Sequence, residues 1–478
     1  MKKLSVNLVF VVVMLMLTVP FAARSEEPTL LTVDPGQRRQ IFEGMGCGTI
    51  FYSGHIVSLA RRNKHKLQKT FYDELFSDVS TQYLQVLIRP DFEPKNDNED
   101  PYRADFKETA FVKNGPALEV CRQALKRKPD MKIYATLYTP PPWMKTNEDE
   151  SGGGGDKATL KPGLALELGE YIWAYLRHMN KNGQPVHYLS ISNEADWGHK
   201  QPGYFLSAKR HAALFEVVAD YLVEMEMRFP EVPRPKLVGP NILSAVGTAK
   251  KYWPALSQRA KAYVDVLGSH DYDRRGHRWK TLRDLAGERP LWCSEWCWNG
   301  RDETPGLIKA ASEFWLVMTE AFNDGANVWM AYDWAYPPRE GGEALTHVEW
   351  GQWYKKTKIY YGFKQWCNAL TPGMRVVQSN LEGPDATGIS TPGVKASAFV
   401  DPSTSRLVVH VVNLQDKTAR FAMKIRGAAY ANAPVRISRT SVDDADKTYP
   451  ASTMQGAVLT DSFKPREMAT YVITPPAL

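Results

Sequence analysis

Cysteine is scarce in this sequence. Five residues, at 47, 121, 293, 297 and 367 of 478, are few and odd in number, which speaks against a disulfide scaffold. If Cys293 and Cys297 lie on one strand, four residues separate them by roughly 13 Å, too far for one metal ion or one disulfide; buried small residues at a strand end are the alternative. Charge of one sign is nowhere gathered into a block. The 60 Lys and Arg outnumber the 53 Asp and Glu for a formal net charge of +7, but they are scattered, so nucleic acid is not a supported partner. After the first two dozen residues no apolar run is long enough to suggest a membrane span. No Gly-rich dinucleotide turn, no G-x-S-x-G elbow and no H-E-x-x-H pair is found, which leaves nicotinamide chemistry, a serine nucleophile and a zincin site without a motif.

What is present is the balance of a globular protein with a large core, 43% hydrophobic and 24% charged. Lys2 and Lys3, an apolar run from Leu8 to Val19, and the small residues Ala22, Ala23 and Ser25 predict a secretory signal over residues 1–25. The mature chain would then begin near Glu26 and be secreted or periplasmic, with no membrane attachment after cleavage.

Between Ile41 and Leu370, short β-branched runs alternate with longer segments of helical apolar spacing. Eight strand stretches are predicted, at 41–48, 82–90, 131–138, 186–194, 236–241, 264–272, 290–296 and 326–334. Eight such units over about 330 residues favour a (β/α)8 TIM barrel over an open doubly wound sheet. From residue 371 to 478 the texture changes to short alternating segments punctuated by Gly, Pro and Asp, which predicts an antiparallel β-sandwich. Residues 26–40 read as a strand that joins it. The stretch 147–163, with four consecutive glycines, reads as a flexible loop at the catalytic face.

A TIM barrel carries its chemistry at the carboxyl ends of its strands. Two carboxylates stand there after apolar runs: Glu194 in LSISNEADW and Glu295 in CSEWCWN. One buried glutamate could be a structural ion pair; two, on the fourth and seventh strands and each beside tryptophan, suit glycosidic cleavage, which needs one carboxylic acid and one carboxylate about the anomeric carbon. Trp143, Trp197, Trp296, Trp298 and Trp334 offer flat faces for sugar rings, although any one of them alone would more often be core. Arg89 could pair with a buried carboxylate or lie in a surface ion pair. His270 and Tyr272, two apart on a strand, face the same way. Of the metal candidates His270, Asp271 and Asp273, the two aspartates point away from the histidine, so no metal or other cofactor is expected.

On EGMGCG, LYTPPPWMKTN, SNE, SHDY, SEW and YYGFKQWCNALTPGMRVV, the chain resembles glycoside hydrolase family 30, retaining (β/α)8 glycosidases, over nearly its whole mature length. The resemblance implies that Glu194 is the acid/base and Glu295 the nucleophile. It implies that Asn193 donates to the sugar 2-hydroxyl, that Arg89 and Tyr272 hold the nucleophile, and that Trp334 floors the sugar subsite. The substrate would be a β-linked oligo- or polysaccharide. Departures from the family pattern, Met45 and Cys47 in the first motif and NEADW in place of Asn-Glu-Pro, bear on sugar identity. A non-catalytic glycan-binding protein on the same scaffold is the alternative. The basic surplus would suit an anionic glycan held by Arg301 and Arg339, or simply solubility.

Overall fold

β-Branched and aromatic residues concentrated in short runs give this chain many brief strands, and the helix-period segments between them cover their outer faces. The computed structural model describes residues 27–198, 201–273, 277–338, 341–386 and 392–476; the segment read as a secretory signal lies outside these, as does Arg339. The first strand, β1 (Thr29–Ile41), belongs to the side domain. Then β2 (Gly44–Gly48), β3 (Tyr83–Ile88), β4 (Lys132–Leu137), β5 (Val186–Ser190), β6 (Lys236–Ile242), β7 (Val264–His270) and β8 (Leu291–Trp296) pair in parallel, each with the next. After β9 (Trp298–Arg301), β10 (Val328–Ala331) pairs with both β8 and β2 and closes the barrel. Each of the eight stretches read as successive strands overlaps one of these barrel strands, and all but 236–241, which stops one residue short of the end of β6, contain it whole.

Tyr83, Tyr134, Val238, Val266, Trp292, Val328 and Met330 fill the barrel interior as one cluster. Trp292 is its centre, with ring centroids 4.8 Å from Tyr83 and 4.6 Å from Tyr188. This packed floor leaves the carboxyl end as the place where polar groups can converge. Gly48 is required where β2 reaches that end: a Cβ there would lie 2.1 Å from the Tyr332 carbonyl oxygen. Past the last barrel strand, β11 (Asp333–Tyr336), β12 (Gly341–Gly342), β13 (Ala344–Glu349) and β14 (Trp353–Lys356) form an elaborated loop in which β12 pairs with β9 and β13 with β11 and β14.

The side domain comprises β1 with β15 (Arg375–Glu382), β16 (Val394–Val400), β17 (Leu407–Asn413), β18 (Ala419–Ile425), β19 (Pro434–Thr440), β20 (Lys447–Thr448), β21 (Ser452–Thr453), β22 (Val458–Phe463) and β23 (Met468–Ile473). Here β1 lies antiparallel to β15 and parallel to β18, joining the two halves. The sheet folds over on itself: Phe421 of β18 stacks on Tyr471 of β23 at 6.4 Å although they lie far apart in strand order. It is a sandwich with its own apolar interior, including Leu31, Val33, Val409, Phe421 and Tyr471.

The other face of that sheet shares the barrel's core. Phe399, Val408, Val412 and Met468 pack with residues of the helices Ile308–Asn323 and Lys358–Ala369 in one continuous cluster. His410 stacks on Trp366 at 4.1 Å. Gln365 donates to the Ser438 carbonyl at 3.0 Å and accepts from the Thr440 hydroxyl at 2.7 Å. All five cysteines are buried free thiols. No described helix is long and apolar enough to cross a membrane.

Candidate active site

Strand β5 ends at Ser190, and the chain from Ser192 to Glu194 is held over the barrel mouth by Asn241. That fully buried side chain donates to the Ser192 carbonyl at 3.1 Å and to Asn193 Oδ1 at 3.3 Å, and accepts from the Ser294 hydroxyl at 2.6 Å. The Asn241 carbonyl accepts the Glu194 N–H at 3.1 Å. Glu194 takes φ +45°, a left-handed conformation that costs a glutamate about 1–2 kcal/mol and persists because these bonds impose it. Its carboxylate meets His270 Nδ1 at 2.8 Å.

Glu295 reaches the same place through an irregularity in β8. From Ser269 to His270, β7 advances one residue while its partner on β8 advances from Cys293 to Glu295. From Trp329 to Ala331, β10 advances two while β8 advances from Cys293 to Trp296. One extra residue in β8 therefore switches its facing. Trp292 points into the barrel, yet Glu295 points into the cleft and Trp296 outward. Tyr138 donates to one Glu295 oxygen by a short hydrogen bond, Tyr272 donates to the other at 3.1 Å, and His270 Nδ1 lies 3.6 Å away. One donor atom from each of Glu194, His270 and Glu295 lies within 4.8 Å of the others. By donor type such a set could also hold a divalent metal. Asp271 and Asp273 turn elsewhere, to Arg278 and Ser244.

Surroundings separate the two carboxyl groups. Burial pushes Glu194 well above the usual range, and the neighbouring Asp196 charge adds to the push. Burial raises Glu295 too, and Glu194 adds to that, but His270 and the two phenols act in the opposite direction. Glu194 is thus the group that keeps its proton and Glu295 the one equipped to be an anion. Burial lowers the pKa of His270, which lies between them, against the opposing pull of Glu295 and Asp196.

The cleft above has a volume of about 580 Å3 and is lined by Asn193, Glu194, Trp197, Tyr272 and Glu295, with Phe51, Tyr52, Tyr138, Gln201, Pro202, Cys297, Asn299, Tyr332, Tyr336 and Glu343. Trp197, on the cleft wall, is 48% exposed. Four residues read as substrate-binding stand elsewhere. Arg89 follows the end of β3 and is captured by the local carboxylate of Asp91 through a two-pronged pair at 3.0 and 2.7 Å, so it does not hold Glu295. Trp143 turns its indole N–H to the Glu93 carbonyl at 3.0 Å and is not among the cleft-lining residues. Trp296, turned outward by the extra residue in β8, packs against Phe314 and Trp329. Trp334 lies on β11, outside the barrel, and is buried between Phe76 and Phe363; Tyr332 and Tyr336 line the cleft in its stead. Arg301 pairs with Glu303 at 3.0 Å and lines a separate cavity.

Tyr138 and Asn241 escaped the sequence reading. Tyr138 had a signal: Tyr134 faces the barrel interior and Thr136 bonds Gln85 across it, so the next alternate residue of that strand rises into the cleft. The glycine-rich stretch 147–163 is better anchored than its composition suggests. The buried Lys145 ammonium donates to the carbonyls of Asp149, Glu150, Ser151 and Gly203, at 2.7, 3.1, 2.8 and 2.7 Å. Gly152 N–H bonds the Gln201 carbonyl at 2.9 Å, which ties this loop to the cleft wall.

No family model matches the sequence, and no curated protein does. Solved structures match closely in shape. The catalytic domain of a GH30 xylanase C from Talaromyces cellulolyticus superposes with a TM-score of 0.72 at 16% identity, over 93% of this chain and 100% of that one. A glycoside hydrolase family 30 subfamily 8 xylanase from Clostridium acetobutylicum gives 0.67 at 17%, over 93% and 99%. A protein described as an endo-β1,6-glucanase gives 0.66 at 14%, over 93% and 94%. The fold is therefore that of family 30, a TIM barrel with an attached β-sandwich.

Proposed function

We propose that this protein is a retaining β-glycoside hydrolase acting on a β-linked glycan, secreted by way of its N-terminal signal. The observation that carries the reading is the meeting of Glu194 and Glu295 at the barrel mouth, with carboxylate oxygens within 4.8 Å, in surroundings that favour an acid at the first and an anion at the second. Retaining enzymes place their carboxyl groups roughly 5–5.5 Å apart, whereas inverting enzymes leave about 6.5–9.5 Å for a water. The short separation supports retention.

Glu295 attacks the anomeric carbon while Glu194 gives its proton to the glycosidic oxygen, so the leaving sugar departs as a neutral alcohol. The product of this step is a glycosyl ester on Glu295. Glu194, now a carboxylate, takes a proton from an incoming water, and that water displaces Glu295 with the original configuration restored. His270, 2.8 Å from Glu194, orients this carboxyl through both steps. Tyr138 and Tyr272 hold Glu295 in line for attack. Only the two carboxyl groups exchange protons or bonds with the substrate. The test is proton NMR of the first product from an aryl β-glycoside: a β-configured sugar at early time is expected, and an α-configured one overturns the retaining assignment. The printed names of the similar structures make β-xylans and β1,6-glucans the first polysaccharides to assay.

A further inference from the structure

A continuous row of aromatic rings leads from the cleft to the surface. Tyr336 and Tyr52 both line the cleft, with ring centroids 4.3 Å apart. Tyr52 meets His55 at 5.1 Å, and His55 meets Trp350 at 4.9 Å. The row opens outward: Tyr336 is 8% exposed and Trp350 42%, with Tyr52 and His55 half-buried between them. A lone exposed tryptophan is ordinary on a protein surface. This one ends a row that begins inside the cleft, and its pose is set. Trp350 sits in the turn between β13 and β14. That turn is tied down by the Gly351 N–H, which donates to the Ser58 hydroxyl at 2.8 Å, and by the Lys64 ammonium, which donates to the Gln352 carbonyl at 2.9 Å. The Arg61 guanidinium lies over the indole at 4.8 Å, and a Cβ on Gly54 would press on that ring at 3.3 Å. A ring held this firmly loses little freedom when a ligand settles on it.

We propose that Trp350 forms a distal subsite for a β-linked polysaccharide. The chain whose reacting bond lies between Glu194 and Glu295 continues past Tyr336 and Tyr52 and packs a further sugar ring on the indole. Sugar rings present C–H faces that pack on aromatic side chains, and a row of such side chains starting in the cleft serves successive units of one chain. The substrate is then a polymer or a long oligosaccharide rather than a small glycoside. Trp350 is not among the residues that line the cleft, so a short substrate that fills the cleft alone does not reach it.

The inference rests on the glycosidase reading, and the experiment separates the two. Wild type, Trp350→Ala and Trp350→Tyr are assayed on aryl β-glycosides and on ladders of β-xylo- and β1,6-gluco-oligosaccharides, extended to whichever other sugar the wild type accepts as an aryl glycoside. Wild type that cleaves none of these overturns the glycosidase reading, and the subsite falls with it. Given cleavage, kcat/KM of the wild type is expected to rise with chain length and level off once the chain spans the row. Trp350→Ala should remove the last part of that rise, about two- to tenfold as for one aromatic contact, through KM more than kcat. The shortest substrate cleaved should be handled as by wild type, and Trp350→Tyr, which keeps a flat ring, should recover most of the loss. Wild-type kcat/KM that does not depend on length overturns the subsite while leaving the glycosidase reading intact. So does a Trp350→Ala variant that loses nothing, or one that loses equally on short and long substrates, the mark of a merely structural role.

Discussion

A phenol steadies a carboxylate with a hydrogen bond but no charge, and Tyr138 and Tyr272 do this for Glu295; Tyr272 was expected there, and Tyr138 stands where the Arg89 guanidinium was expected. Arg89 was readable as a carboxylate's partner but not as which one's, because the competing Asp91 lies only two residues away and pairs locally. Glu194 and Glu295 were legible because an ionisable residue at the end of an apolar run must be paired or used. Tyr138→Phe should lower kcat/KM by about 10- to 100-fold, the value of one hydrogen bond to a charged group. Its bond lowers the Glu295 pKa, so removing it raises that pKa, and the acidic limb of the kcat/KM profile should move to higher pH. An unmoved limb would mean that Tyr138 does not hold the nucleophile. Glu194→Gln should cripple substrates with poor leaving groups while sparing activated aryl glycosides, since only the former need its proton; equal losses on both would contradict its role as acid.

Strand elements were legible to within a few residues, yet the facing of their last residues was not. Alternation predicts the interior face only while a ladder stays regular. The extra residue in β8 puts Glu295 into the cleft and Trp296 out of it, and the chain leaves the barrel between β10 and β11, carrying Trp334 away. Neither event has a local signal in the sequence. The loop 147–163 was misjudged for a related reason: composition counts glycines but does not see a lysine bonded to four carbonyls. Replacing Lys145 with Met strands those carbonyls, at a cost of about 1–3 kcal/mol for each that finds no other donor. Limited proteolysis should then cut within 147–163 at least tenfold faster, and KM should rise more than kcat falls as the Gln201 side of the cleft loosens. Cleavage as slow as in wild type would show that the anchor is elsewhere.

For the whole molecule, the sandwich is part of the barrel's packing, since one apolar cluster runs from the barrel helices into Phe399, Val408, Val412 and Met468. Ending the chain at residue 372 would bare that surface, and the product should be insoluble; a soluble, active fragment would show that the barrel stands alone. The path of β1 has a further consequence, for the order in which the chain can fold. The Thr29 hydroxyl accepts the Asp385 N–H, a contact spanning 356 residues, so the barrel is an insertion between two parts of the sandwich. At about 5–20 residues per second of synthesis, β1 waits roughly 20–70 s for partners that have yet to be made. During that time its edges are open and the sandwich cannot close. Folding of the side domain is thus held until the last strands emerge, a schedule that suits a chain carried across a membrane before it folds.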